Sequence, residues 1–332
     1  MKILVTGGAG MLGSGLVPAL AAAGHDVVVT DIDLSTPQPW GPAGPTIGRL
    51  DVRSWEEVRA VFERVRPDFV CHLAAETDLE RSDADPSHAF ATNTLGTKFV
   101  AFESERIDAP MVYISTAGVF DGVKDGPYHE WDDANPLNTY GKSKYEGERL
   151  VERFVSRHYI VRAGWMVGGG AGIDHKFVAK ILGQVRDGRT TLHAVGDKLG
   201  TPTYVPDFAQ CLLRLIATES YGRYHMVCEG EGSRFDVAAE ILAVLGRADE
   251  IELVEVNSDF FAADYPSIRP RSEIMVNLHL QMQGLNTMRP WRSALREYLI
   301  TEFPDLVREL SAPGVLDLTA AAGRRTLQEE LA

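Results

Sequence analysis

The chain has 332 residues, 45% of them hydrophobic and 24% charged, with a formal net charge of −14. That length suggests about two domains of ~150 residues, with a core large enough to need no covalent staples. The charge argues against a general nucleic-acid or anionic-membrane surface, while leaving room for a local pocket of opposite sign that takes an anionic small ligand.

Taken in chain order, MKILVTGG is too short an apolar run for a signal peptide, and no later stretch reaches the ~18 apolar residues of a membrane helix. Ile3, Leu4 and Val5 predict a first strand, and residues 12–23 a helix stopped by Gly24. Residues 27–29 predict a second strand, and a third precedes Asp51 and Val52. Ser54, with Glu57 three residues on, predicts a capping box opening a helix through Val65. Strands follow at 68–72, 111–115 and 158–161, alternating with helices near 86–105 and 138–156. This βαβα alternation predicts an α/β fold, a parallel sheet covered by helices on both faces.

After Arg162 the rhythm loosens. Gly168, Gly169 and Gly170 read as a flexible break, 177–185 and 206–217 as helices, and 224–228 as a strand returning to the sheet. The predicted division is a dinucleotide-binding domain of residues 1–164 plus about 203–228, and a smaller substrate domain of about 165–202 plus 229–312. A helical tail at 313–332 follows. Cys71, Cys211 and Cys228 are scattered and odd in number, which argues against a disulfide framework or zinc site. They read as small core hydrophobes in a reduced, cytoplasmic setting.

The segment Thr6-Gly-Gly-Ala-Gly-Met-Leu-Gly13 lies between the first strand and the first helix. Gly7, Gly10 and Gly13 permit a tight turn, a close approach of backbone to phosphate, and close packing of helix on strand. Met11 and Leu12 open the helix, whose N–H groups face a pyrophosphate. Asp31, followed by Ile32, ends the second strand, where an acid accepts both ribose hydroxyls and repels a 2′-phosphate. NAD(H) is therefore favoured, with NADP(H) possible.

In TYGKSKYEG, Tyr140 and Lys144 stand at i and i+4 on one helix face. An ammonium beside a phenol lowers the phenol's pKa from ~10, which suits proton transfer near neutrality. The competing reading is a solvated polar face. Placement after a strand ending in Ser115 and Thr116, in a chain with a dinucleotide turn, favours chemistry. His72 reads as a structural residue at a strand end. No His, Cys, Asp and Glu cluster has metal spacing, so no catalytic metal is expected.

Together the glycine turn, Asp51-Val52, His72-Leu-Ala-Ala75, Asn93, Thr116 and Tyr140-x-x-x-Lys144 resemble an extended short-chain dehydrogenase/reductase. More narrowly, AAETDLERSDADP (74–86), STAGVF (115–120), NPLNTYGKSKYEGE (135–148), VRAGW (161–165), GTPTYVPDFA (200–209), GRYHMV (222–227) and RPRS (269–272) are similar to segments of the dTDP-4-dehydrorhamnose reductase group. The resemblance implies a Rossmann-type doubly wound sheet with a C-terminal substrate domain. It implies that Asp51 and Val52 flank the adenine, that Leu73, Ala74, Ala75 and Thr77 line the cofactor, and that Asn93 supports the helix behind the site. It assigns Thr116 to the substrate oxygen, Tyr140 to proton transfer and Lys144 to tuning Tyr140 and holding the nicotinamide ribose. Trp165 and Arg269 become candidates for the sugar and nucleotide pocket, beside positions 117 and 118.

Those two positions depart from the group, which usually carries an Asp-Tyr pair after its catalytic Thr; here they are Ala117 and Gly118. No acid or thiol follows Thr116, which removes the residues that related dehydratases and carbon epimerases use. What remains is an NAD(P)H-dependent reductase of a nucleotide-linked 4-keto-6-deoxy sugar. The alternatives are an NAD-dependent nucleotide-sugar 4-epimerase or a non-catalytic cofactor-binding regulatory subunit. The expected partner is the nucleotide-sugar alone, without nucleic acid or membrane, in a possible homodimer.

Overall fold

A computed structural model describes residues 1–312, apart from 37, 39, 42 and 43. Its centre is a seven-stranded parallel sheet. The first six strands are β1 (Lys2–Thr6), β2 (Asp26–Asp31), β3 (Ile47–Arg49), β4 (Phe69–His72), β5 (Met111–Thr116) and β6 (His158–Ala163). Across the sheet they run β6-β5-β4-β1-β2-β3, and the returning strand Gly222–Met226 lies outside β6. β1 shows why its sequence is apolar without interruption. Ile3 and Val5 enter the core on one face of the sheet, and Leu4 enters the core on the other.

On the first face, α1 (Met11–Ala22) packs beside the helix Val205–Ile216. On the second lie α2 (Trp55–Val65), the helix Thr97–Arg106 and the helix Thr139–Phe154. The doubly wound sheet is thus as the sequence predicts. The first-face core continues without a break into the helices Phe177–Arg186, Arg234–Leu245 and Trp291–Glu302.

Several local features differ from the expected ones. Ser54 Oγ accepts the Glu57 N–H as a cap should, but the Glu57 carboxylate turns away to accept from the Asp51 N–H and from Arg49, so the box is only half closed. The helix expected near 86–105 contains a π-turn at Ala91–Gly96. Among the strands not expected are Thr191–Val195 and Glu252–Val256, which pair in parallel, the first of them lining one end of the cleft. The tail 313–332 lies outside the described residues. All three cysteines are free and buried, and among the described residues no helix is long and apolar enough to cross a membrane.

One ion pair is fully enclosed. Arg162, on β6, donates from Nε and Nη2 to Glu148 at 2.9 and 2.7 Å, with both side chains 0% exposed. Removing one partner leaves an uncompensated buried charge. Glu148→Ala is therefore expected to lose about 3–5 kcal/mol of stability in urea denaturation. A loss below ~1 kcal/mol would show that the pair is not needed where it stands.

Candidate active site

A cleft of about 1350 Å³ runs along the C-terminal edge of the sheet, where doubly wound folds bind their ligands. At one end stands the glycine turn. Gly7 has φ +72°, and a Cβ there would lie 2.4 Å from the Ala74 backbone. A Cβ on Gly13 would lie 2.0 Å from the Gly8 carbonyl oxygen, so Gly13 lets the helix pack closely on the turn and does not line the cleft. Gly10 is different: a Cβ would meet only the Gly7 oxygen, at 3.5 Å, and would otherwise project into open space. Gly10 also N-caps α1 with no side chain. The first-turn N–H groups of a helix lack intrahelical partners, so those at Met11 and Leu12 remain for a phosphate. The cradle therefore fits a dinucleotide.

Asp31 lines the same end. Its carboxylate accepts the Ala9 N–H at 2.9 Å and the Asp33 N–H at 3.1 Å, which fixes it at the mouth beside exposed Ile32. Asp51 and Val52 line the cleft beside it. Asp51 is bound by Arg53, whose hydrogen bonds hold its carboxyl below the usual range. Leu73, Ala74, Ala75 and Thr77 form the floor.

Midway along the cleft, β5 ends in Thr116. Its Oγ accepts the Gly118 N–H at 3.1 Å, capping the tight turn Ala117–Val119. The helix Thr139–Phe154 starts against this turn. Asn138 caps it by accepting the Gly141 N–H. A Cβ on Gly141 would lie 2.2 Å from the Gly118 oxygen, and one on Gly147 would lie 2.3 Å from the Tyr113 hydroxyl. Two glycines inside a helix destabilise it; here they let it lie directly on the strand ends. That contact sets the Tyr140 phenol beside the Thr116 hydroxyl.

Lys144 is 3% exposed, and its Nζ sits 4.2 Å from the centre of the Tyr113 ring. Burial pushes Lys144 down to about 7, against the pull of Glu148 one turn on. Burial pushes Tyr140 up to about 12, against the Thr116 hydroxyl. Lys144 was expected to lower the Tyr140 pKa, whereas burial raises it: loss of water is the largest influence on both groups, and Lys144 Nζ lies over the Tyr113 ring.

Asn93 is buried and lies behind the cleft rather than in it. Its Oδ1 accepts the Glu76 N–H, and its Nδ2 donates to the Glu76 carbonyl and to Ser143 Oγ. It ties the 74–78 loop to the helix Thr139–Phe154 from within the π-turn, a feature often found at functional sites. Ala117 is also buried and touches no cleft space, whereas Gly118 does. His72 accepts or donates between Thr6 and Thr97, and burial holds it near 3, so it is neutral and structural.

The far end is lined by Trp165, Lys176, Lys198, Arg234, Arg269 and Glu273. Arg269 pairs with Glu80 at 2.7 Å. Among the described residues Lys176, Lys198 and Arg234 form no ion pair, so this acidic protein keeps cationic side chains available around one end of one cleft. Arg234 and Glu273 were missed in the sequence because each reaches the site from a distant segment with no local pattern.

The sequence model of the RmlD substrate binding domain family matches residues 1–303. The chain belongs to that family. It is 31% identical to the spore coat polysaccharide biosynthesis protein SpsK of Bacillus subtilis (strain 168), over 90% of this chain and 96% of that one. A dTDP-4-dehydrorhamnose reductase structure from Clostridium acetobutylicum superimposes with a TM-score of 0.81 at 30% identity, covering 90% of this chain and 98% of that one. The dTDP-4-dehydrorhamnose reductase of Bacillus anthracis, solved in complex with NADP, gives a TM-score of 0.79 at 28% identity, with 90% and 98% coverage.

Proposed function

We propose that this protein is an NAD(P)H-dependent reductase of a nucleotide-linked 4-keto-6-deoxy sugar. The sheet half, residues 1–164 with 203–228, holds the dinucleotide through Gly7, Gly10, Met11, Leu12 and Asp31. The remainder, 165–202 with 229–312, holds the sugar nucleotide, with Lys176, Lys198 and Arg234 placed to meet its phosphates. A reduced nicotinamide dinucleotide bound in this cleft supplies the hydride that adds to the carbonyl carbon. The chain supplies the rest. The Thr116 hydroxyl donates a hydrogen bond to the carbonyl oxygen. The Tyr140 O–H gives its proton to that oxygen as the C=O π electrons move onto it, and solvent then restores the phenol. Alignment of the reacting atoms in a fixed cleft contributes much of the rate.

The observation that carries the reading is Tyr140, protonated at neutral pH and set beside Thr116 between a dinucleotide cradle and a cationic pocket. A protonated phenol is ready for reduction, whereas a 4-epimerase must begin with that residue as a base. Asp31 weights the choice toward NADH, and the NADP complex of the Bacillus anthracis relative keeps NADPH in play. The test is to mix the purified protein with dTDP-4-dehydrorhamnose and NADH or NADPH. The expected result is loss of reduced cofactor in step with the keto-sugar. Interconversion of 4-epimers without net cofactor loss would establish the epimerase instead. Cofactor binding with no turnover of any keto-sugar nucleotide would establish a regulatory subunit.

A further inference from the structure

We propose that Glu273 is the specificity-determining residue of this site, accepting a hydrogen bond from the sugar hydroxyl on the carbon next to the reacting carbonyl. The inference rests on the keto-sugar reductase reading above. Ala117 and Gly118 leave the turn after Thr116 without a polar side chain, and the structure fills that gap from the opposite wall. A methyl-sized group at the Cβ position of Gly118 would lie 3.4 Å from Thr116 Oγ and 3.5 Å from Glu273 Oε1. One small gap therefore touches both the hydroxyl that holds the carbonyl oxygen and a carboxylate oxygen. In a 4-keto sugar the carbon beside the carbonyl carries a hydroxyl, and a carbonyl held by Thr116 and Tyr140 brings that hydroxyl to the gap.

The carboxylate is anchored. The Trp165 indole N–H donates to Glu273 Oε2 at 2.8 Å, and the Glu273 N–H donates to the Leu199 carbonyl at 2.8 Å. Trp165 is itself clamped. The Arg234 guanidinium sits 4.0 Å from its ring centre, and a Cβ on Gly200 would lie 2.4 Å from the ring. With Oε2 engaged, Oε1 is the atom turned to the gap, held by a rigid support. Burial raises the Glu273 pKa, opposed by the Trp165 N–H and by Arg234. A sugar hydroxyl suits either form, since it donates to the carboxylate and accepts from the acid.

The experiment compares dTDP-4-dehydrorhamnose with its 3-deoxy analogue, in wild type, Glu273→Ala, Glu273→Gln and Gly118→Ala. For wild type, kcat/KM is expected to favour the hydroxylated sugar by about 10- to 150-fold, the range of a hydrogen bond to a charged group. Glu273→Ala should bring that ratio close to one, mainly by raising KM for the hydroxylated sugar. Glu273→Gln keeps its oxygen on the Trp165 N–H and offers the gap an N–H donor, from which a hydroxyl can accept, so it should restore part of the preference. Gly118→Ala fills the gap by ordinary contact while leaving the Glu273 side chain in place, and should also penalise the hydroxylated sugar. It decides the matter if Glu273→Ala fails to fold. An unchanged ratio in the folded Glu273→Ala variant, or in Gly118→Ala when it stands alone, overturns the assignment. If wild type turns over neither sugar, the reductase reading fails. Calorimetric binding of the two sugars to the same proteins then tests Glu273 by the same ratio.

Discussion

Tyr140→Phe is expected to lower kcat for the keto-sugar by about 10²–10⁴-fold, the usual worth of a positioned proton donor, while the protein still folds and binds its dinucleotide. The substitution removes one oxygen. That oxygen is hydrogen-bonded to the Thr116 hydroxyl, so stability should fall by no more than about 1.5 kcal/mol. The pH profile sharpens the assignment. With Tyr140 near 12, the phenol is protonated throughout the ordinary working range, and its ionisation should not appear in the profile. Lys144, near 7 before ligands bind, should appear as a falling limb in kcat/KM as pH rises through about 7. In kcat that limb should move upward, because the phosphates of bound ligands favour the charged ammonium. Steady-state kinetics from about pH 6 to about pH 9 measure both limbs. A flat kcat/KM over that range would remove Lys144 from the charged role, and an active Tyr140→Phe enzyme would remove Tyr140 as the acid.

Lys144→Met should do two opposite things: abolish efficient turnover and make the folded protein more stable. Lys144 has no carboxylate in salt-bridge contact among the described residues, and it is enclosed by Tyr113 and the strand ends. Its pKa falls from 10.5 in the unfolded chain to about 7 in the folded one. Below about 7 both states carry the proton, and the folded state bears the whole cost of a buried charge. Between about 7 and 10.5 the folded state releases the proton while the unfolded state keeps it, so stability rises with pH. Above 10.5 the penalty is gone. Methionine fills the same length with an apolar chain. The gain should be about 1–4 kcal/mol near pH 6 and should shrink toward pH 10. Urea denaturation of both proteins at the two pH values tests this. A gain independent of pH, or a loss at pH 6, would mean that something other than the buried charge governs the position.

The parts of this site that were legible in the sequence are those with short-range geometry. The glycine turn is read within eight residues, and Tyr140 and Lys144 within five. Asn93 was visible as a polar residue in a helix, but the π-turn that aims it was not, because that turn depends on the close fit against Ser143 and Glu76. Gly141 and Gly147 held an unused signal. Glycines tolerated inside a helix mark a surface pressed against another backbone, which is where this helix meets the sheet ends. The strands Thr191–Val195 and Glu252–Val256 escaped because each is short and half-exposed, and each is a strand only through the other. Glu273 escaped for the same kind of reason. Nothing near it in the chain shows that it faces Gly118. The Tyr140 pKa was expected below its ordinary value because spacing shows which groups are neighbours, whereas enclosure is what raises it.

The uninterrupted first-face core has a thermodynamic meaning. Ile3, Leu16 and Val161 belong to the same packed cluster as Leu182, Ile241 and Leu299. The sheet half and the half built from residues 165–202 with 229–312 therefore share one core, and a single cooperative unfolding transition is the expected behaviour. Under the proposed function, a cofactor that settles on the glycine turn would by linkage also stabilise the helices around the far end of the cleft, because both rest on that one core.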